Sequence, residues 1–128
     1  MDLTPTSAGR TRVLVCEDAE DTRFLLGEML RSHGYDVTEV SHGADAVERV
    51  FTGGIDVALI DIGLPDLDGN EVARRIRQRA TRNIRLIALT GYGTTADRES
   101  SRLSGFDHHL LKPVTSEELL AAIGATRP

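Results

Sequence analysis

Tryptophan is absent from this 128-residue chain, aromatic residues of all kinds amount to 4%, and there is one cysteine. The core must therefore be aliphatic, drawn from the 40% of residues that are hydrophobic. A single cysteine excludes an internal disulfide. Cys16 lies in the apolar run Val13-Leu14-Val15-Cys16 and reads as a buried, inert thiol. No apolar stretch approaches the roughly 20 residues a bilayer-crossing helix needs, and the polar segment from Met1 to Arg12 has no apolar centre of a secretion signal. The expected location is the cytoplasm, with no membrane contact. Positive charge is also scarce: 15 Lys and Arg against 20 Asp and Glu leave a net charge of -5. Nucleic-acid surfaces depend on clustered cations that displace counterions from phosphates, so no direct nucleic-acid partner is expected.

What is present is a repeated alternation. From residue 12 onward, short apolar runs alternate with segments of helical period, the pattern of successive βα units around a parallel sheet. The strand candidates are Arg12 to Cys16, Tyr35 to Val40, Ile55 to Asp61, Ile84 to Thr90 and Phe106 to Lys112. Three are unbroken aliphatic runs, as expected of strands buried on both faces. A first helix carries Leu25, Leu26, Met29 and Leu30 on one stripe and stops at His33-Gly34. A second uses Ala44, Val47, Val50 and Phe51 and ends at Gly53-Gly54. A third runs from about Gly69 with Val72, Ala73 and Ile76 inward, and its Arg74, Arg75, Arg77 and Arg79 read as a solvated face. The fourth, Thr95 to Ser104, offers only Ala96 and Leu103 as apolar contacts. The fifth opens on Thr115-Ser116-Glu117-Glu118, a capping-box spacing, and buries Leu119, Leu120 and Ile123. The length fits one domain over residues 12–126. Residues 1–11 read as a disordered tail, and no stretch remains for an output domain.

The polar residues of interest fall at the C-terminal ends of different strands: Glu17 and Asp18 after the first, Asp61 after the third, Thr90 after the fourth and Lys112 after the fifth. Open α/β sheets bind ligands beyond those ends, at a topological switch point. With a strand order of 2-1-3-4-5, Glu17, Asp18 and Asp61 would converge there. Three such carboxylates repel one another, so positive charge must sit among them. Lys112 supplies some, and an all-oxygen cluster suits octahedral Mg2+. Cys16 and the four histidines lack the spacing of a zinc site. The set suits phosphoryl transfer, with Asp61 as nucleophile followed by the open loop Ile62 to Gly69. Any one acid alone reads as easily as a helix cap or turn residue; the joint pattern does not.

Glu17-Asp18, Asp61 with Leu64-Pro65 and Asp68-Gly69 after it, Thr90-Gly91 and Lys112-Pro113 together resemble the signature of response regulator receiver domains, over roughly residues 12 to 126. The resemblance implies a three-layer, doubly wound, flavodoxin-like fold with a five-stranded parallel sheet in the order 2-1-3-4-5, the order of the chemotaxis receiver CheY. It implies Asp61 as phosphoacceptor, Asp18 and Asp61 as direct Mg2+ ligands, Glu17 as a ligand through water, and the Gly63 carbonyl as a further metal contact. Thr90, the Gly91 amide and Lys112 would hold the phosphoryl oxygens. The implied partner is a histidine kinase or histidine phosphotransferase, the implied state a monomer or weak dimer, and the only chemistry Mg2+-dependent self-phosphorylation and autodephosphorylation. The family places a cis peptide at Lys112-Pro113, an isomer that sequence cannot show. Two positions depart from the commonest pattern. His109 stands where a Tyr or Phe usually partners Thr90 as a switch, and Gly91 replaces a frequent alanine, which opens the phosphate to water. His108 and His109 read equally as surface histidines.

Receivers that belong to hybrid histidine kinases have the same segments, so the sequence does not choose between that setting and a stand-alone regulator. Other readings weigh less. A flavodoxin-like ligand binder lacks its phosphate-cradling glycine loop, because Glu17-Asp18-Ala19-Glu20-Asp21 would repel a phosphate. A phosphatase of the haloacid dehalogenase type needs an aspartate where Gly63 stands, and an interaction-only pseudo-receiver usually lacks part of the acid and lysine set.

Overall fold

The computed structural model describes residues 10–91 and 95–124, the backbone alone for 95–97. The expected alternation is complete: β1 (Arg12–Cys16), α1 (Glu20–Ser32), β2 (Asp36–Val40), α2 (Gly43–Thr52), β3 (Val57–Asp61), α3 (Gly69–Arg79), β4 (Arg85–Thr90), α4 (Thr95–Ser104), β5 (His108–Leu111) and α5 (Ser116–Gly124). The strands form one parallel sheet in the order β2-β1-β3-β4-β5. Hydrophobic alternation along the strands feeds two cores, one on each face. Val13, Val15, Leu59, Ile87 and Leu89 pack with Leu26 and Leu30 of α1 and Leu119 and Ile123 of α5. Leu14, Ala58, Ile60, Leu86 and Ala88 pack with Val47 and Val50 of α2 and Val72 and Ile76 of α3. This is the doubly wound, three-layer architecture expected from the resemblance.

Local chemistry explains most boundaries. The C-terminal end of α1 is closed by Gly34, whose φ of +87° is a left-handed conformation that glycine adopts without a Cβ penalty. Thr115 and Glu118 form the expected capping box: Glu118 N–H donates to Thr115 Oγ1 and Thr115 N–H to Glu118 Oε1, both at 3.1 Å. The N-terminus of α3 is capped by Asp68, which accepts from Asn70 N–H at 2.8 Å.

Several expectations are corrected. Leu25 is 62% exposed and Leu103 71% exposed, so neither faces the core. In α2 the inward position belongs to Ala46, while Ala44 is exposed. Leu120 is only half-buried. The side chain of Ala96 and nearly all of the 1–11 segment lie outside the described residues. Among the described residues of α4, the buried positions are Ser101 and Ser104. The arginines of α3 are not all solvated: Arg77 donates to the carbonyls of Gly105 (2.9 and 2.7 Å) and Ile84 (2.6 Å) and pairs with Asp107 at 3.0 Å. Arg74 donates to Ser104 Oγ, and Arg79 stacks on Phe51, 4.4 Å from the ring centroid. Guanidinium groups reach carbonyls and rings that a helical wheel does not display.

Candidate functional site

The parallel register aligns the C-terminal strand ends. Cys16 pairs with Ile60, Asp61 with Leu89 and Thr90 with Leu111. Residues one position beyond β1 and β5 therefore meet the last residues of β3 and β4 along one edge. Glu17, Asp18 and Asp61 each offer a carboxylate oxygen within 4.8 Å of the other two. Glu17 and Asp61 are buried, at 1% and 6% exposure, while Asp18 is exposed. The cluster thus has a dry floor and one acid at its mouth.

Lys112 reaches in from beyond β5, with Nζ 2.7 Å from Glu17 Oε1 and 3.3 Å from Asp61 Oδ2. Its backbone N–H donates to the Thr90 carbonyl at 2.8 Å, which ties the lysine to the end of β4. The Lys112-Pro113 peptide is cis. The other oxygens of the two buried acids are held by the backbone: Glu17 Oε2 accepts from Ala19 N–H (3.1 Å) and Asp61 Oδ1 from Gly63 N–H (3.1 Å).

Burial pushes the Glu17 carboxyl above its ordinary value, and the nearby Asp61 charge pushes the same way, against the Lys112 ammonium and the Ala19 amide. Burial would lower the Lys112 ammonium, but Glu17 and Asp61 outweigh it and hold the lysine above its ordinary value. Even with Lys112 in place, then, the Glu17 carboxyl stays above its ordinary value, chiefly because it is buried. The donor set is all oxygen, partly solvent-facing, and has no thiolate or imidazole; it fits a hard divalent cation. The Cys16 thiol, fully buried beneath the cluster, is pushed up to about 12 by burial and by Asp66, Asp61 and Glu17. It stays an inert thiol, as its apolar run suggests.

The other expected residues flank this centre. Thr90 is buried at the end of β4, the strand beside β3. Gly91 is exposed, and an added Cβ there meets nothing within 4 Å. Gly63 is exposed at the start of the β3–α3 loop. His109, half-buried, pairs in register with Ala88, and Leu111 pairs with Thr90. Paired residues of parallel strands share a face, so Thr90 and His109 stand on the same side of the sheet, two positions apart. Tyr92 and Gly93 of the glycine-rich segment lie outside the described residues.

Three supporting contacts are visible only in the structure. Gly69 lies so close to the end of β3 that a Cβ would come within 2.5 Å of the Asp61 carbonyl oxygen. Arg23 donates from Nη1 to the Glu17 carbonyl at 2.9 Å. Asp66 accepts from the N–H groups of Gly43 and Ala44. The dipeptide Asp68-Gly69 carried a signal for the first; nothing local marked Arg23, and Asp66 stood in a loop that was read as simply open.

The sequence and the fold have relatives among known proteins. The family described as "Response regulator receiver domain" matches residues 13–124. The chain belongs to that family. The Bacillus subtilis (strain 168) "Uncharacterized transcriptional regulatory protein YrkP" is 35% identical over 112 residues, covering 88% of this chain and 47% of that protein. The "Sensory transduction protein RegX3" of Mycolicibacterium smegmatis is 31% identical over 115 residues, 90% of this chain and 50% of that protein. The crystal structure of a CheY-like response regulator receiver domain protein from Methanospirillum hungatei JF-1 superposes with a TM-score of 0.80 at 26% identity, over 89% of this chain and 90% of that one. The receiver spans about half the length of the curated relatives it matches. Among the described residues, no helix is long and apolar enough to cross a membrane.

Proposed function

We propose that this receiver takes a phosphoryl group from a phosphohistidine of a histidine kinase or histidine phosphotransferase onto Asp61, and that the aspartyl phosphate changes its affinity for a downstream protein. The supporting observation is the convergence of Glu17, Asp18 and Asp61, two of them buried, with the Lys112 ammonium on Glu17 and Asp61. In the transfer, a carboxylate oxygen of Asp61 attacks phosphorus, the phosphorus–nitrogen bond breaks, and the departing imidazole takes up a proton. Lys112 neutralises charge on the transferred oxygens. The Thr90 hydroxyl and the Gly91 amide donate to them, and burial of Asp61 on the floor restricts water. Asp18 and Asp61, with the Gly63 carbonyl and Glu17 through water, would hold Mg2+, whose role is to offset charge on carboxylates and phosphoryl oxygens.

The proposed domain unit is residues 12–126, working in the cytoplasm as a monomer or weak dimer. Its chemistry is limited to Mg2+-dependent self-phosphorylation and autodephosphorylation. A nucleotide or flavin in the same cleft is disfavoured, since Glu17 and Asp18 are joined there by Glu20 and Asp21 in the first turn of α1. The test is intact mass after incubation with acetyl phosphate. One phosphoryl adduct is expected with Mg2+, none in excess chelator, and none in Asp61→Asn. Undiminished labelling of the Asn variant would remove Asp61 from the role.

A further inference from the structure

We infer that Asp66 is a positioning residue for the metal side of the site, acting by clamping the β3–α3 loop onto the N-terminus of α2. The inference rests on the reading of the acidic cluster as a Mg2+ site.

The first N–H groups of a helix have no intrahelical partner and need an outside acceptor. In α2 the residue preceding the helix, His42, makes no side-chain cap. The acceptor instead comes from more than 20 positions away: Asp66 Oδ1 lies 2.8 Å from Gly43 N and Oδ2 lies 3.0 Å from Ala44 N. A carboxylate so placed also meets the positive end of the helix dipole. Although burial pushes the Asp66 carboxyl up, these amide hydrogen bonds outweigh it and hold it below its ordinary value.

The close fit has a second signature at Gly43. A Cβ there would come within 2.7 Å of Val72 Cγ2 and 3.0 Å of Leu67 Cβ. Glycine at this position lets the loop and α3 settle directly on the start of α2. The loop that Asp66 anchors is the one that carries the site. It leaves Asp61, passes through Gly63, whose N–H donates to Asp61 Oδ1 at 3.1 Å, and closes where Gly69 N–H donates to the Ile62 carbonyl at 2.9 Å. Leu64 is buried, but Gly63, Pro65 and Asp66 are exposed. Between the buried Leu64 and the helix α3, the carboxylate of Asp66 ties this stretch to the fold together with the half-buried Leu67, which packs on the core. A loop held in one place presents the Gly63 carbonyl at no ordering cost when the cation arrives.

Coupling of this kind is reciprocal. If the clamp favours Mg2+, Mg2+ must favour the clamp, and the Gly43 and Ala44 amides should exchange more slowly in its presence. The experiment is an NMR titration of the full chain with Mg2+ alone, on wild type, Asp66→Ala and Asp66→Asn, with amide exchange of the wild type recorded with and without the metal. The expected result is a Mg2+ dissociation constant raised about three- to tenfold in Asp66→Ala, and partly restored in Asp66→Asn, which keeps one acceptor oxygen; a coupling of this size is ordinary. Slower exchange at Gly43 and Ala44 with Mg2+ should accompany it. A lowered melting temperature with unchanged Mg2+ affinity would make Asp66 a helix cap and nothing more, and overturn the inference. Should Asp66→Ala not fold, unaltered exchange at Gly43 and Ala44 in the metal-bound wild type overturns it equally. Absence of Mg2+ binding by the wild type would instead overturn the metal-site reading itself.

Discussion

Two glycines at the site's edge separate space that is needed from space that is free. Gly69 does not have a left-handed φ; it is required because the N-terminus of α3 sits against the backbone of Asp61 and Ile62, where a Cβ would lie 2.5 and 2.7 Å from main-chain atoms. Backbone cannot rotate aside as a side chain can. Gly69→Ala is expected to destabilise the fold by about 1–3 kcal/mol, the usual range for forced overpacking, and to slow phosphorylation by moving Asp61. Gly91→Ala meets open space, so its urea midpoint should change by less than about 0.5 kcal/mol equivalent. The aspartyl phosphate should nevertheless live longer, because a methyl group there narrows the approach of water. Urea unfolding and phosphate decay, measured on both variants, separate the two. Equal stability losses would show that the space at Gly91 is not free. At this scale the position of Glu17, Asp18, Asp61, Thr90 and Lys112 along one edge of the sheet was legible, since they stand at strand ends that the apolar runs define. Arg23 and Asp66 were not, because each acts on backbone groups of another segment, and only the fold brings those groups near.

At the scale of elements, α4 is attached differently from the other four helices. Its described buried positions are serines, Ser101 and Ser104. Leu103 points to solvent. Its C-terminal turn is stapled to α3: Arg77 holds the carbonyl of Gly105 with two nitrogens and that of Ile84 with a third, and pairs with Asp107, whose Oδ2 also accepts from Leu86 N–H at 2.9 Å. Gly105 has φ +112°, and a Cβ there would lie 2.8 Å from Arg77 Cγ, so the turn is shaped around the arginine. Arg77→Ala should therefore cost about 1–3 kcal/mol through the carbonyls it strands, with amide exchange from residue 101 to 106 rising before that of the sheet. Arg77→Lys keeps the charge facing Asp107 but has no planar fork. It should recover less than half of the loss. Full recovery by lysine would mean that charge alone, and not the forked geometry, holds α4. The sequence places α4 at Thr95–Ser104 with Ala96 and Leu103 as its apolar contacts; the bounds agree, but Leu103 is exposed. The sequence does not show the staple, because an arginine on an amphipathic helix looks the same whether its end is in water or on a neighbouring turn. The strand runs were legible where both faces are buried, in β1, β3 and β4. β5 is shorter than Phe106 to Lys112, since Phe106 and Asp107 are spent on the turn, where their N–H groups donate to the carbonyls of Ser101 and Leu86.

For the whole molecule, the arrangement that matters exists only in the folded state. Glu17 and Asp61 are 44 positions apart in the chain and Lys112 is farther still, so an unfolded chain presents these acids singly, with little to hold a hydrated cation. Folding places the three carboxylates within 4.8 Å, and the repulsion among them is a cost that the fold carries and a bound cation relieves. A ligand that binds the native state alone stabilises it by RT ln(1 + [L]/Kd), about 1.4 kcal/mol at ten times Kd. For a domain near this size, that corresponds to a rise of about 5 °C in melting temperature. The net charge of -5 makes an ionic-strength control necessary, because general screening also reduces self-repulsion. The comparison is therefore Mg2+ against NaCl of equal ionic strength, in wild type and in Asp18→Asn. Asp18 is exposed at the mouth of the cluster, so its amide variant removes one of the three carboxylates without burying a new unsatisfied group. Wild type should gain several degrees from millimolar Mg2+ over the NaCl control. Asp18→Asn should melt no lower than wild type without metal, having lost one repelling charge, and should gain much less from Mg2+. An equal gain in both proteins would mean that Mg2+ acts on diffuse surface charge, and that the three acids at the sheet's edge do not form its site.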